Sequence, residues 1–261
     1  MTLKGKCALV TGSNSGLGYA VADSLAAAGA NIVLHGLCLD EEGERTAHQL
    51  AETHGLDAIY VRADLRHVSE IEKMVATIKD RFGSIDILVN NAVMRHFSPI
   101  EEFTAEDWND SIAVNLSAAF HLSRLSIPGM KAGNWGRIIH MASIYSERGA
   151  ENRVDYVTTK TGLLGMTRAM AVELAQTAIT CNAVCPGTVA TPAINERIRE
   201  IARDKGVAVA ESEQEYLATR NPTGRFVAAE GVGALIAFLC SPQAADITGA
   251  SLPIDGGWLA K

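Results

Sequence analysis

Thr11-Gly12-Ser13-Asn14-Ser15-Gly16-Leu17-Gly18 is the stretch whose reading decides the fold. It follows an apolar run at 7–11 that reads as a strand, and it leads into a helical pattern at 18–28. Glycines at 12, 16 and 18 allow a tight turn and close backbone approach, and the free N–H groups at the start of the helix suit a pyrophosphate. No Lys-Ser/Thr pair follows the glycines, which argues against a P-loop. Placed between strand and helix, the turn predicts a dinucleotide site rather than a bare β-to-α connection.

Outward from this turn, short aliphatic runs alternate with longer amphipathic stretches. Strands are expected at 31–35, 58–62, 87–90, 136–141, 179–184 and 251–254, with a helix at 41–54 and further helical patterns between them. The strand runs are continuously apolar, as in strands covered on both faces. The expected class is therefore α/β, a doubly wound parallel sheet of Rossmann type with helices on both faces. No linker, repeat or low-complexity tract divides the chain, so one domain over 1–261 is expected. Residues 193–220 break the rhythm: they are polar, rich in Arg and Glu, and lack a strand. They read as a helical insertion, lid-like if a site lies beneath it.

The 261 residues are 48% hydrophobic and 20% charged, which excludes disorder and collagen-like structure. A net charge of −7 argues against nucleic acid as partner. Cys7, Cys38, Cys181, Cys185 and Cys240 form no CxxC pair, and the histidines show no HxxxH or HExxH spacing. They read as reduced cysteines, and no metal site is expected. No segment approaches the ~18 apolar residues of a membrane span, so the expectation is no membrane and a cytoplasmic location.

Two further elements carry chemistry. Tyr156 and Lys160 lie one helical turn apart on one face. A phenol with a pKa of about 10 serves acid–base chemistry near neutrality only if a cation stabilises its phenolate, and Lys160 is placed to do so. Ser143 ends the strand run at 136–141, on the edge where open α/β sheets bind ligands. Asp64, at the end of another strand, could accept a hydrogen bond from an adenine amino group.

Together with Asn90-Asn91-Ala92, Asn115 and Pro186-Gly187, these residues resemble the short-chain dehydrogenase/reductase family over nearly the whole chain. The resemblance implies Tyr156 as general acid/base, Ser143 as donor to the substrate oxygen, Lys160 as the ribose-holding cation, and Asn115 as holder of a relay water. It implies a cofactor site from Gly12, Ser13, Ser15, Gly16, Leu17, Gly18, Leu37, Asp64, Leu65, Asn91, Tyr156, Lys160, Pro186, Gly187, Thr188 and Val189. The family usually has glycine after Asn-Asn-Ala where this chain has Val93, a side chain that resists positive φ and adds bulk beside the cofactor.

After the second strand the chain reads Gly36-Leu37-Cys38-Leu39-Asp40-Glu41-Glu42, and the first cation beyond is Arg45. Acidic residues repel a 2′-phosphate, so NAD is expected over NADP. Within the family, Leu3-Lys4-Gly5-Lys6, Asn115-Leu116-Ser117-Ala118 and Asp255-Gly256-Gly257-Trp258 resemble bacterial D-3-hydroxybutyrate dehydrogenases. By motif position, the substrate carboxylate would meet Arg95, Tyr145, Arg153 and Arg197 beside Ser143 and Tyr156. Arginines bind carboxylates bidentately, so a small anionic hydroxy acid or its oxo acid is the expected partner. The alternatives are a 3-oxoacyl thioester reductase, a sugar-acid dehydrogenase, or a non-catalytic dinucleotide sensor. His96 reads as a packed or exposed loop residue, and Trp108 and Phe120 as core or helix-packing residues. Relatives of this kind are usually tetramers, so a homotetramer is expected.

Overall fold

The computed structural model describes residues 3–261; Met1 and Thr2, the first two residues of the expected domain, lie outside the described residues. Strands β1 (Cys7–Val10), β2 (Asn31–Gly36), β3 (Ala58–Arg62), β4 (Ile87–Asn90), β5 (Gly136–Met141), β6 (Ile179–Pro186) and β7 (Ser251–Ile254) form one sheet. Their order is β3-β2-β1-β4-β5-β6-β7, with every pairing parallel. The central strands β1, β4, β5 and β6 are buried throughout, while the edge strands β3 and β7 are only partly covered. Continuous apolar runs thus mark the strands that helices cover on both faces.

Helices α1 (Gly16–Ala27), α2 (Asp40–His54), α3 (Val68–Phe82), α4 (Ala105–Ile112), α5 (Ala118–Ala132), α6 (Val154–Glu173), α7 (Pro192–Lys205), α8 (Val209–Ala218) and α9 (Ala229–Leu239) complete the chain. One core lies under α1, α2 and α9, with Val21, Leu25, Ile32, Val89 and Ile236 at its centre. The other lies under α3 and α5, around Leu9, Ile71, Met74, Leu88 and Leu122. Both are fed by alternate residues of the same strands: Ala8 and Val10 face one core, and Cys7 and Leu9 the other.

The strand order reverses between β1 and β4, so the loops after these two strands diverge and leave a crevice at their carboxyl ends. The segment at 193–220 is a helical hairpin, α7 packed on α8. Phe120 corrects the packing expectation: α5 turns Ala118, Ala119 and Leu122 inward and leaves Phe120 exposed. All five cysteines are unpaired; four are buried and Cys38 is half-buried. Among the described residues no helix is long and apolar enough to cross a membrane.

Candidate active site

The crevice is a cavity of about 420 Å³ at the carboxyl ends of the strands. One end is the glycine turn. Gly12 and Gly16 have φ of +62° and +59°, values that disfavour any side chain. A Cβ on Gly18 would lie 2.1 Å from the Gly12 carbonyl oxygen, so only glycine lets α1 close on the turn. Gly16 faces open space, and no side chain caps the first N–H groups of α1. No acidic residue sits in its first turn. An uncapped helix start, reached without a side chain in the way, fits the pyrophosphate of a dinucleotide.

The turn is braced from below by His35, whose role the sequence did not reveal. Its Nδ1 accepts the Gly12 N–H at 3.0 Å and its Nε2 lies 3.0 Å from the Ala63 carbonyl oxygen. Only a neutral ring protonated at Nε2 satisfies both. Burial accordingly pushes its pKa down to about 4, against the smaller opposing effect of the Ala63 hydrogen bond. Asn91 adds a second brace, donating from Nδ2 to the carbonyls of Thr11 and Gly12 at 2.8 and 2.9 Å.

At the other end, Ser143 follows β5 while Tyr156 and Lys160 occupy the first turns of α6. Lys160 is buried, donates to the Met141 carbonyl at 2.5 Å, and places Nζ 5.7 Å from the centre of the Tyr156 ring. Arg95 and Arg153 lie over the same ring at 5.4 and 4.6 Å. Burial alone would raise the Tyr156 pKa, but Lys160, Arg95, the Ser143 hydrogen bond and Arg153 outweigh it, and the net shift is downward. The Lys160 pKa falls because burial outweighs the attraction of Tyr156. This is a phenol tuned toward proton exchange, beside a hydroxyl donor and a cation.

Gly12, Ser15, Gly16, Leu17, Gly18, Asn91, Arg95, Ser143, Tyr145, Arg153, Tyr156, Lys160, Pro186, Gly187, Thr188 and Val189 all line this one cavity. Six expected residues do not. Ser13 is fully buried: its hydroxyl donates to the Val10 carbonyl and accepts from the His35 N–H, so its side chain serves the fold. Leu37, Asp64 and Leu65 stand beyond the lining, after β2 and β3, and both Asp64 oxygens already accept from Arg66. Asn115 is buried in a π-turn, Ala113–Ser117, with Oδ1 accepting the Met94 N–H at 2.7 Å and Nδ2 donating to the Met94 carbonyl at 2.9 Å. It anchors the loop that carries Arg95. Arg197 is not brought to the cavity; it lies on the outer face of α7, paired with Glu200.

Lining residues not assigned to the site from the sequence include Tyr216, Arg220 and Trp258. Trp258 is delivered by the Asp255 carboxylate, which accepts the N–H groups of Gly257 and Leu259 and folds the terminus back. Asp-Gly-Gly-Trp was a legible signal for that turn. Arg220 follows α8 and enters only because the α7–α8 hairpin returns over the site. Val93 lines the cavity without a positive φ, so the backbone accommodates it, and only its bulk remains beside the cofactor position. His96 is packed as expected, near Ser111, Asp107 and the buried Asp155.

Comparison with known proteins agrees with this geometry. The family model described as enoyl-(acyl carrier protein) reductase matches residues 12–259. The chain is 41% identical over 260 residues to a D-beta-hydroxybutyrate dehydrogenase of Cupriavidus necator, covering 99% of this chain and 100% of that one. It is also 41% identical to one from Rhizobium meliloti, covering 98% and 99%. The L-sorbose reductase of Gluconobacter frateurii, solved with NADPH and L-sorbose, superimposes with a TM-score of 0.96 at 32% identity, covering 100% and 99%. Matched nearly end to end by these oxidoreductases, in sequence and in backbone, the chain belongs to the short-chain dehydrogenase/reductase family.

Proposed function

We propose that this oxidoreductase interconverts a small hydroxy acid of the 3-hydroxybutyrate type and its oxo acid with NAD as cofactor. The observation that carries the reading is the pair Arg95 and Arg153, held over the ring of Tyr156. A carboxylate held by this pair would lie beside the phenol, which supports an acid whose hydroxyl reaches Tyr156. Similarity to D-beta-hydroxybutyrate dehydrogenases supports the same class of substrate.

A bound nicotinamide supplies the hydride acceptor. Tyr156, as phenolate, takes the proton of the substrate hydroxyl, and Ser143 donates a hydrogen bond to the same oxygen. Lys160 keeps the phenolate accessible by its charge, and its ammonium would hold the ribose of the bound cofactor. Asn115 acts through the loop: by fixing both polar backbone groups of Met94 it sets the position of Arg95. The α7–α8 hairpin covers the cavity through Thr191, Ile194 and Tyr216, and we assign it the part of a lid.

NAD is favoured by the first turn of α2, which follows β2 and carries Asp40, Glu41 and Glu42, acids that would repel a 2′-phosphate. Gly36 packs against Asn14, whose Oδ1 lies 2.7 Å from where a Cβ would stand, which explains why an acidic side chain is not used there. Exposed Phe120 on α5 and Val172 on α6 support assembly through these helices into a homotetramer. Unpaired cysteines fit a cytoplasmic setting.

Arg153→Ala tests the carboxylate site. Loss of a charged hydrogen-bonding partner predicts a fall of roughly 10- to 100-fold in kcat/KM for 3-hydroxybutyrate. An unchanged value would remove the carboxylate site from this account.

A further inference from the structure

We propose that the preferred substrate carries a second carboxylate, a few carbons from the reacting hydroxyl, and that Arg220 holds it. This deepens the hydroxy-acid reading and rests on it for the place of the reacting end.

The cavity lining contains Arg95, Arg153, Lys160 and Arg220 but no Asp or Glu, in a chain with 30 acidic residues and a net charge of −7. Six other arginines are neutralised locally: Arg66, Arg81, Arg124, Arg197, Arg199 and Arg203 each pair with a carboxylate. The three lining the cavity have no such pair among the described residues. Arg153 is stacked between Phe97 and Tyr156 at 4.4 and 4.6 Å, and its Nε is buried without a hydrogen-bond partner. Burial and the nearby Arg95 both lower its pKa, as expected for crowded cations awaiting an anion. One substrate carboxylate answers Arg95 and Arg153. It does not answer Arg220.

Arg220 is fixed in place rather than trailing in solvent. Its Nη1 donates to the Tyr216 carbonyl and to the Thr219 hydroxyl, each at 3.0 Å, and its guanidinium lies 3.7 Å from the centre of the Tyr216 ring. The remaining edge of the fork is open to a bidentate partner. Arg220 lies 6.0 Å from the Trp258 ring; Trp258 contacts Tyr145 at 5.6 Å, and Tyr145 contacts Tyr156 at 6.3 Å. Three contacts, through Trp258 and Tyr145, therefore link Arg220 to the reacting phenol. A substrate held at both ends would pass Trp258 and Tyr145 with its methylenes, and five- and six-carbon hydroxy dicarboxylates probe that span.

The test is calorimetric titration of the NAD-saturated protein with butyrate, glutarate and adipate, alongside turnover of 3-hydroxybutyrate, 3-hydroxyglutarate and 3-hydroxyadipate. At least one dicarboxylate is expected to bind tenfold or more tightly than butyrate. Arg220→Gln should remove most of that ratio, and Arg220→Lys should restore part of it. Equal affinity for butyrate and both dicarboxylates overturns the proposal, as does an Arg220→Gln effect that falls on NAD or on all acids alike. Failure of the hydroxy-acid reading would look different: no turnover of any of the three substrates, with dicarboxylate binding and its dependence on Arg220 intact.

Discussion

Tyr156 is a buried phenol under three cations, and its behaviour follows from which effect wins. Burial opposes the phenolate, while Lys160, Arg95 and Arg153 together with Ser143 favour it and prevail. Hydroxy-acid oxidation needs the phenolate, so kcat/KM in that direction should rise with pH and level off at an inflection below 10. Removing a cation withdraws support from the phenolate, so Arg153→Gln should move the inflection upward. A pH–rate series on both proteins measures this, and an inflection that stays put would show that Arg153 does not act on the phenol. At this scale the sequence revealed the pairing of Tyr156 with Lys160, because Tyr-x-x-x-Lys fixes relative position within one helix. It did not reveal which serine or arginine side chains are free. Ser13 is consumed by Val10 and His35, contacts made across strands that no local pattern records.

Elements position these groups through close approaches that the glycines permit. Gly18 lets α1 pack on the carbonyl of Gly12, and a methyl there would meet it at 2.1 Å. Gly18→Ala should therefore weaken NAD binding at least tenfold and cost on the order of 1–3 kcal/mol of stability, as overpacking does. Fluorescence titration with the cofactor and denaturant melts would show both effects; an alanine variant with parental affinity would mean that α1 tolerates displacement. The strands were legible nearly to the residue, since buried parallel strands announce themselves as apolar runs. Helix phase was less so. Motif position put Arg197 at the substrate, yet α7 turns it outward to Glu200, and the cation supplied by the hairpin is Arg220, just beyond α8. Which residue of a hairpin reaches inward depends on how its two helices pack, and the sequence at 193–220 carries little apolar periodicity to say.

Across the whole molecule, charge and burial are distributed unevenly, and stability should register it. His35 and His140 are buried and held neutral, their pKa values pushed down to about 4 and about 3 chiefly by burial. Below pH 6.5 the unfolded chain takes up protons at these sites while the folded one does not, so stability falls as pH drops. Each site contributes up to about 1.4 kcal/mol per pH unit until its folded pKa is reached. Urea denaturation between pH 7 and 5 should show a shallower loss for His140→Gln than for the parent, and equal slopes would mean that His140 is not kept neutral by the fold. The net charge of −7 was legible at once, but it described the surface. The cavity is cationic because its lining excludes every acid, and that exclusion exists only once seven separate stretches of chain have met at the carboxyl end of the sheet.

The central claim is that Tyr156 exchanges the proton of a hydroxy acid while the nicotinamide takes the hydride. The most direct measurement is reduction of NAD by D-3-hydroxybutyrate and its dicarboxylate analogues, in the parent and in Tyr156→Phe, with cofactor affinity followed in parallel. Turnover in the parent that falls by at least a thousandfold in Tyr156→Phe, with NAD still bound, is the predicted result. A Tyr156→Phe protein that turns over as fast as the parent, or a parent that binds NAD and oxidises none of these acids, would contradict the account.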